Sequence, residues 1–361
     1  MRVRGAVLRE VGKPLEIETL TLDPPGPGEL LVRVRAAGLC HSDLSVINVT
    51  RPRPVPMVLG HEAAGEVVEA GPGSGFATGE HVVLTFVPSC GDCGPCTAGR
   101  PALCVPGAAA NRDGTLVGGD VRWSSPAGRP LHHLGVSAFA EYVVVSARSA
   151  VRVEETLPFE IAALFGCAVL TGAGAVFNAA DVRPGDSVAV FGLGGVGLSA
   201  LLAAKAAGAA TLLAIDPVES KRELARSLGA THVLAGDIAE IRALTGGGAD
   251  HAVDTTGVVG ALAQAYQSTR PGGTTVTVGL PDPSAELALP AQSLVAEEKT
   301  LRGSYLGSCV PRRDVPRFIA LYQAGLLPVE ALLTHSITLE EINAGFDRLH
   351  EGGAVRQVIT F

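Results

Sequence analysis

The chain of 361 residues carries 28 Lys+Arg against 36 Asp+Glu, a formal charge of −8, with 47% hydrophobic, 18% charged and only 4% aromatic residues. At roughly 150 residues per domain this length predicts two to three domains with ample apolar surface, which excludes a disordered or low-complexity chain. The basic residues are too scattered to form a patch for nucleic acid or an anionic membrane, and the few aromatics leave no base-stacking surface.

The opening segment, MRVRGAVLRE, alternates apolar and charged residues, and no apolar core of an export signal follows it. A cytoplasmic location is therefore expected. Up to residue 150 the chain is punctuated by turn formers such as Pro24-Pro25-Gly26-Pro27-Gly28, Arg51-Pro52-Arg53-Pro54 and Gly71-Pro72-Gly73. Short alternating runs lie between them (Leu30 to Ala36, Gly65 to Glu69, Ala140 to Val145), which predicts an irregular, mainly β domain. Cys40 and Gly60-His61-Glu62 fall in this region as possible metal ligands, and Cys167 follows it, but spacing alone does not unite them. Cys90, Cys93, Cys96 and Cys104 do form a unit, four of the seven cysteines in one Gly/Pro-rich loop. That pattern indicates metal binding rather than disulfides. Four thiolates at about 2.3 Å close a zinc tetrahedron with no open position, so such a site folds a lobe, here near residues 88–106, and does no chemistry.

Near residue 158 the texture changes. Pro158 to Ala180 is Ala-rich with helical spacing, and β-type runs follow at Ser187–Phe191, Thr211–Ile215, His232–Leu234, Ala252–Thr255 and Thr274–Val278. Apolar strands alternating with helical stretches predict βαβ units and a parallel sheet. The 18 uncharged residues Ser187 to Ala204 touch the lower limit for a membrane span, but glycines at 192, 194, 195 and 197 make a poor membrane helix. They form Gly192-Leu193-Gly194-Gly195-Val196-Gly197 between a strand and a helical run, the G-x-G-x-x-G arrangement that brings a pyrophosphate to a helix N-terminus. Asp216 ends the next strand, where an acid accepts from ribose hydroxyls and repels a 2′-phosphate, favouring NAD over NADP. A helix-like Asp314–Ala324 and a closing strand Val355–Phe361 complete the chain. The expected domains are 1–157 with 306–361, and 158–305.

Gly60-His61-Glu62-x2-Gly65-x5-Gly71-x2-Ser74 resembles the signature of the zinc-dependent medium-chain alcohol dehydrogenases. So do Gly38-Leu39-Cys40-His41-Ser42-Asp43, the four-cysteine lobe, Ala163–Gly174, the glycine motif with Asp216, and Arg356-Gln357-Val358-Ile359. The segments follow family order and spacing over essentially the whole chain, and the 62 residues between Cys104 and Cys167 match the long-loop, class III-like dimeric branch. The resemblance implies an α/β protein: a doubly wound Rossmann NAD-binding domain plus a mainly β, GroES-like catalytic domain, assembled as a homodimer with two zinc ions per subunit. It implies Cys40, His61 and Cys167 as ligands of a catalytic zinc, the two-cysteine, one-histidine set already described for alcohol dehydrogenases. Glu62 would be an acid able to ligate that zinc transiently, and Asp43 the carboxylate orienting the imidazole. Cys90, Cys93, Cys96 and Cys104 would hold the structural zinc, leaving Cys309 as a plain buried thiol. His41, Thr171, Gly192, Gly194, Gly195, Val196, Gly197, Asp216, Lys221, Val278 and Arg356 would contact NAD, His41 and Arg356 at its pyrophosphate.

The implied reaction is hydride transfer to NAD from a zinc-bound alkoxide of a primary or secondary alcohol, or its reverse. Zinc lowers the pKa of bound water from 15.7 to about 7, worth on the order of 12 kcal/mol, and an alcohol gains comparably. Ser42 would take the proton, but the position three residues on, a His in many relatives, is Ser45. A lost acid–base relay costs roughly 3–5 kcal/mol, less than the zinc contribution. Phe86, His133, Leu134, Leu280, Tyr305 and Leu306 match substrate-pocket positions and suit a medium-sized alkyl or aryl alcohol. Ala108 and Arg51 stand where the branch uses an Arg and an acid for glutathione adducts, which disfavours glutathione. Another thiol adduct remains an alternative, as in an S-(hydroxymethyl)mycothiol dehydrogenase. A biosynthetic tailoring reductase and a catalytically dead NAD-binding protein are further alternatives.

Overall fold

The computed structural model describes residues 1–361. The chain divides into two compact units, Met1–Cys167 with Val310–Pro316 and Leu333–Phe361, and Ala168–Cys309 with Arg317–Leu332.

The first unit is built on the strand Glu29–Gly38, whose alternating Leu, Val and Ala side chains are buried. One edge pairs antiparallel with Ala63–Ala70 along nearly its whole length. Its other edge is shared, first by Tyr142–Ser146 and then by the C-terminal strand Arg356–Thr360. The end of the chain is therefore stitched into the sheet begun by its first forty residues. His81–Leu84 and Ala150–Arg152 extend the sheet on one side and Leu333–Ile337 on the other. A second, five-stranded sheet runs in the order Trp123–Ser124, Glu16–Leu22, Arg2–Leu8, Met57–Val58 and Leu131–His132. A core including Val3, Leu20, Leu30, Val34, Trp123, Phe139 and Val144 fills the unit. Helix Phe159–Leu164 buries Ile161, Ala162, Ala163 and Leu164 and packs on Glu29–Gly38 and Ala63–Ala70. The break between units thus falls after Cys167, beyond the change of texture near 158: composition marks where helix begins, whereas the sheet it covers assigns it to a unit.

The second unit holds a six-stranded parallel sheet ordered His232–Leu234, Thr211–Ile215, Ser187–Phe191, Ala249–Asp254, Thr269–Thr277 and Thr300–Gly303. This order reverses direction beside Ser187–Phe191, which opens a crevice at the carboxyl ends of that strand and Ala249–Asp254. Three strands match the apolar runs residue for residue. Ala249–Asp254 and Thr269–Thr277 begin earlier than those runs, because polar side chains are satisfied within the sheet. Asp250 Oδ2 accepts from Ser187 N and Oγ at 2.8 and 2.6 Å, and Oδ1 accepts from Arg270 Nε at 2.6 Å. No helix in either unit is long and apolar enough to cross a membrane.

Burial alone would push the Asp250 carboxyl up, but Ser187 and Arg270 outweigh it and bring it down to about 2. A depressed carboxyl stabilises the fold above the ordinary range near 4, and the contribution fades as pH falls towards 2. Asp250→Asn is expected to cost about 2 kcal/mol at pH 7. Urea unfolding checks this: the difference from the parent protein should narrow below pH 4.

Candidate functional site

The first constellation lies wholly within the first unit. Cys40 caps the N-terminus of helix His41–Ile47, at the end of the central strand. His61 and Glu62 immediately precede Ala63–Ala70, and Cys167 follows helix Phe159–Leu164. Because that helix lies on the two strands, Cys167 returns to the ends that carry Cys40 and His61. The two thiol sulfurs and an imidazole nitrogen lie within 4.8 Å of one another, and all three residues are buried. Tetrahedral zinc with sulfur ligands at 2.3 Å sets donors about 3.8 Å apart, so the spacing suits one ion.

Gly60 makes this arrangement possible. Its φ is +93°, and a Cβ there would sit 2.7 Å from Phe139 N, so no other residue fits the turn that delivers His61. His61 Nδ1 donates to Asp43 Oδ1 at 2.9 Å, which leaves the Nε2 lone pair for another partner. Nε2 is buried and has none. Burial works against charge on His61, but Asp43 outweighs it and raises the ring's affinity for positive charge well above the ordinary value. A proton or a metal ion can supply that charge. Asp43 itself is fully buried, and Cys40 N and Gly60 N also donate to it, at 3.3 and 3.2 Å.

The surrounding charges favour a cation as well. A hydrogen bond from Cys167 pulls the Cys40 thiol well below its usual range, against burial and with help from Arg356 and His61. The same bond, with burial, pushes Cys167 up. Burial raises the Glu62 carboxyl to about 7, although Arg356 Nη1 lies 3.5 Å from Oε2. Two thiols and the Glu62 carboxyl therefore face a single guanidinium in a buried space. An orphaned imidazole nitrogen beside two thiols is the donor set a borderline-soft divalent metal takes, and zinc fits it.

Cys90, Cys93, Cys96 and Cys104 also converge within 4.8 Å, half-exposed except for Cys104. Backbone N–H groups of Cys90 and Gly107 point at Cys104 Sγ, and that of Cys93 at Cys90 Sγ, at 3.2–3.3 Å. Such bonds, first from Cys96, lower the Cys93 thiol to about 6, whereas burial pushes Cys96 up to about 12. Four sulfurs lined with N–H donors could hold a metal ion with no position left open, and these residues fit a structural zinc.

The glycine motif lies at the crevice of the second unit. Gly192 has φ +86°, and a Cβ on Gly197 would fall 1.7 Å from Gly192 O, so the helix Gly195–Ala206 seats directly on the turn. At Gly194, by contrast, a Cβ would meet nothing within 4 Å. This open backbone surface before a twelve-residue helix is the cradle a pyrophosphate requires. Asp216 is buried; its oxygens accept from Leu193 N at 2.8 Å and Val218 N at 2.9 Å, which ties it to the motif. Thr171 is buried, while Lys221 and Val278 are half-buried in the same unit.

The remaining expected residues are distributed as follows. His41 is exposed and Ser42 half-buried on the helix that Cys40 caps, and Ser45 Oγ is occupied by His41 O at 2.8 Å. Phe86 and His133 both turn edge-on to the His61 ring, at 5.4 and 5.5 Å between centroids. Leu134 is buried beside them in sequence, with φ +51°. Leu280, Tyr305 and Leu306 belong to the second unit, Leu280 being 46% exposed. Arg356, expected at a pyrophosphate, is 3% exposed, with Glu62 and Leu39 O as neighbours, the latter at 3.1 Å. Sequence reasoning missed the contacts of Arg356 with Glu62 and of His133 with Asp43. Only the Arg356-Gln357 pair, placed on a strand the tail was expected to form, hinted at the first.

A model of the alcohol dehydrogenase GroES-like domain matches residues 26–155, and one of a zinc-binding dehydrogenase matches residues 195–324. Over 99% of its length the chain is 40% identical to the NDMA-dependent alcohol dehydrogenase of Amycolatopsis methanolica, 99% of which is covered. It is also 40% identical to geraniol dehydrogenase of Castellaniella defragrans, over 99% of this chain and 97% of that one. The crystal structure of benzyl alcohol dehydrogenase from Acinetobacter calcoaceticus aligns with TM-score 0.95 and 35% identity, over 100% of this chain and 99% of that chain.

The two thiol clusters make separable predictions about metal. The purified chain is expected to carry two zinc ions, Cys167→Ala one, and Cys93→Ser one. Elemental analysis checks all three; two ions retained by Cys167→Ala would remove that residue from the ligand set.

Proposed function

The chain belongs to the zinc-dependent medium-chain alcohol dehydrogenase family and acts on alcohols, and we propose that it passes their hydride to NAD at the site of Cys40, His61 and Cys167. The observation that supports this reading above all others is the buried, unpartnered His61 Nε2 beside two buried thiols. A zinc ion held there would supply Lewis-acid polarisation of the substrate oxygen.

The protein's own part is positioning, charge and proton management. Asp43 fixes the ring tautomer, and burial keeps water from the thiols. Oxidation removes one hydride from the carbinol carbon and one proton from its hydroxyl. Ser42, two residues after Cys40, takes the proton. With Ser45 engaged by His41 O, solvent completes the relay in place of an imidazole. The acid at Asp216 supports NAD over NADP, since a 2′-phosphate would meet a buried carboxylate already committed to Leu193 and Val218.

Phe86 and Leu134 favour a medium-sized alkyl or aryl alcohol. A cytoplasmic homodimer is also part of this reading. Thr300–Gly303 is an open edge of the parallel sheet, and the helix just before it exposes Leu294 and Val295, the latter 81%.

Absorbance at 340 nm with NAD and a panel of aliphatic, terpenoid and benzylic alcohols tests the reading. NDMA serves as a second acceptor, because a relative is named for dependence on it. Turnover of free alcohols is expected, and Cys167→Ala should abolish it. Turnover confined to formaldehyde mixed with glutathione or mycothiol would transfer the function to thiol adducts. Asp216→Ala should raise the NADP-to-NAD ratio of kcat/KM at least tenfold; an unchanged ratio would remove Asp216 from cofactor choice.

A further inference from the structure

We propose that His133 is a positioning residue of the metal site, holding Asp43 so that His61 Nε2 faces Cys40 and Cys167. The inference rests on the assignment of that site to zinc. His133 is 2% exposed, and its Nδ1 lies 3.2 Å from Asp43 Oδ1, the oxygen that also receives His61 Nδ1 and Gly60 N. His133 Nδ1 is buried and completes no hydrogen bond, so this close approach to Asp43 is the polar contact it has. Its ring meets His61 edge-on at 83°, and Phe86 closes the ring from another direction at 88°. The orientation of His61 is thus set by one hydrogen bond and two rings, and His133 contributes to both constraints by touching the acceptor and the ring.

The backbone around His133 is built to hold it there. His133 N donates to Ser137 Oγ at 2.9 Å, and His133 O accepts from Val136 N at 3.0 Å and Ser137 N at 3.2 Å. The turn forces Leu134 to φ +51°, a conformation that a bulky non-glycine residue adopts only when its surroundings impose it. On the other side, His132 Nε2 accepts from Arg122 N at 3.1 Å, and burial, with Arg122 and Arg129, lowers that imidazole to about 3. His132 therefore stays neutral and anchors the segment. His133 is pinned through its backbone on both sides and delivers one nitrogen to one carboxylate.

Loss of this nitrogen from its place 3.2 Å from the buried carboxylate frees Asp43 to turn and His61 to follow. Changes of this kind behind a metal ligand typically weaken metal binding about 10–100-fold. The test compares His133→Phe, which keeps a ring but removes the nitrogen, with His133→Asn, whose amide N–H stands near the place of Nδ1. Zinc transfer to a chromogenic chelator is followed in wild type and both variants, with the phase missing from Cys167→Ala marking the site. The visible spectrum of cobalt-substituted protein reports ligand geometry. The four-cysteine zinc serves as the internal measure of folding.

His133→Phe is expected to lose the marked zinc about 10–100-fold more readily and to shift the cobalt bands, while the lobe zinc is unaffected. His133→Asn should stay within a few-fold of wild type. Wild-type affinity and spectrum in His133→Phe would overturn the proposal, as would equal loss in both variants, since the nitrogen would then not matter. A wild-type protein with only the lobe zinc would instead overturn the metal site, and this inference with it.

Discussion

The buried carboxylate of Asp43 is the constraint on which the site depends. Nothing of it reaches solvent, and a bare carboxylate in such a place costs several kcal/mol unless it is hydrogen-bonded and paired. Here the compensation comes from Cys40 N, Gly60 N and His61 Nδ1, with His133 Nδ1 beside them. These groups arrive from a helix cap, a strained glycine turn and a loop more than seventy residues further on. Each is held by the need to satisfy one charge. The carboxylate determines where the segments meet, and their meeting places His61 Nε2, an imidazole nitrogen left without a partner, beside the two thiols.

The sheet of the first unit explains why those segments are within reach. Glu29–Gly38 ends at Cys40, its neighbour Ala63–Ala70 begins just after Glu62, and Arg356–Thr360 pairs with the last residues of the central strand. The antiparallel register therefore brings Cys40, Glu62 and Arg356 to one end of three adjacent strands. Arg356 is drawn into the interior because Glu62 and Leu39 O are there to receive it. Its guanidinium also stabilises charge on both thiols, and they in turn raise its own proton affinity.

The two cysteine clusters solve different physical problems. Cys90, Cys93, Cys96 and Cys104 come from one local loop, are partly exposed, and collect N–H donors from their own backbone. Four like ligands leave nothing for a substrate. Cys40, His61 and Cys167 come from distant segments, are buried, and stop at three donors with Glu62 behind them. An incomplete set in a dry, charged enclosure is suited to chemistry, and a complete set in a surface loop to holding a fold.

What the sequence determined by itself was everything carried by short-range pattern. Ser187–Phe191, Thr211–Ile215 and His232–Leu234 were legible residue for residue, because a strand covered on both faces must be a continuous apolar run. The glycine motif and the four-cysteine loop were legible for the same reason, since their spacing is their geometry. Cys40, His61, Glu62, Asp43 and Cys167 were united only through family resemblance, as no spacing rule joins positions so far apart. Tertiary structure alone decided that helix Phe159–Leu164 covers the first sheet and that Arg356 lies against Glu62. It also turned His133, expected in a substrate pocket, towards Asp43. In each of those cases a residue's surroundings are set by which strands pair and which buried charge must be answered, and neither is written in the residues on either side of it.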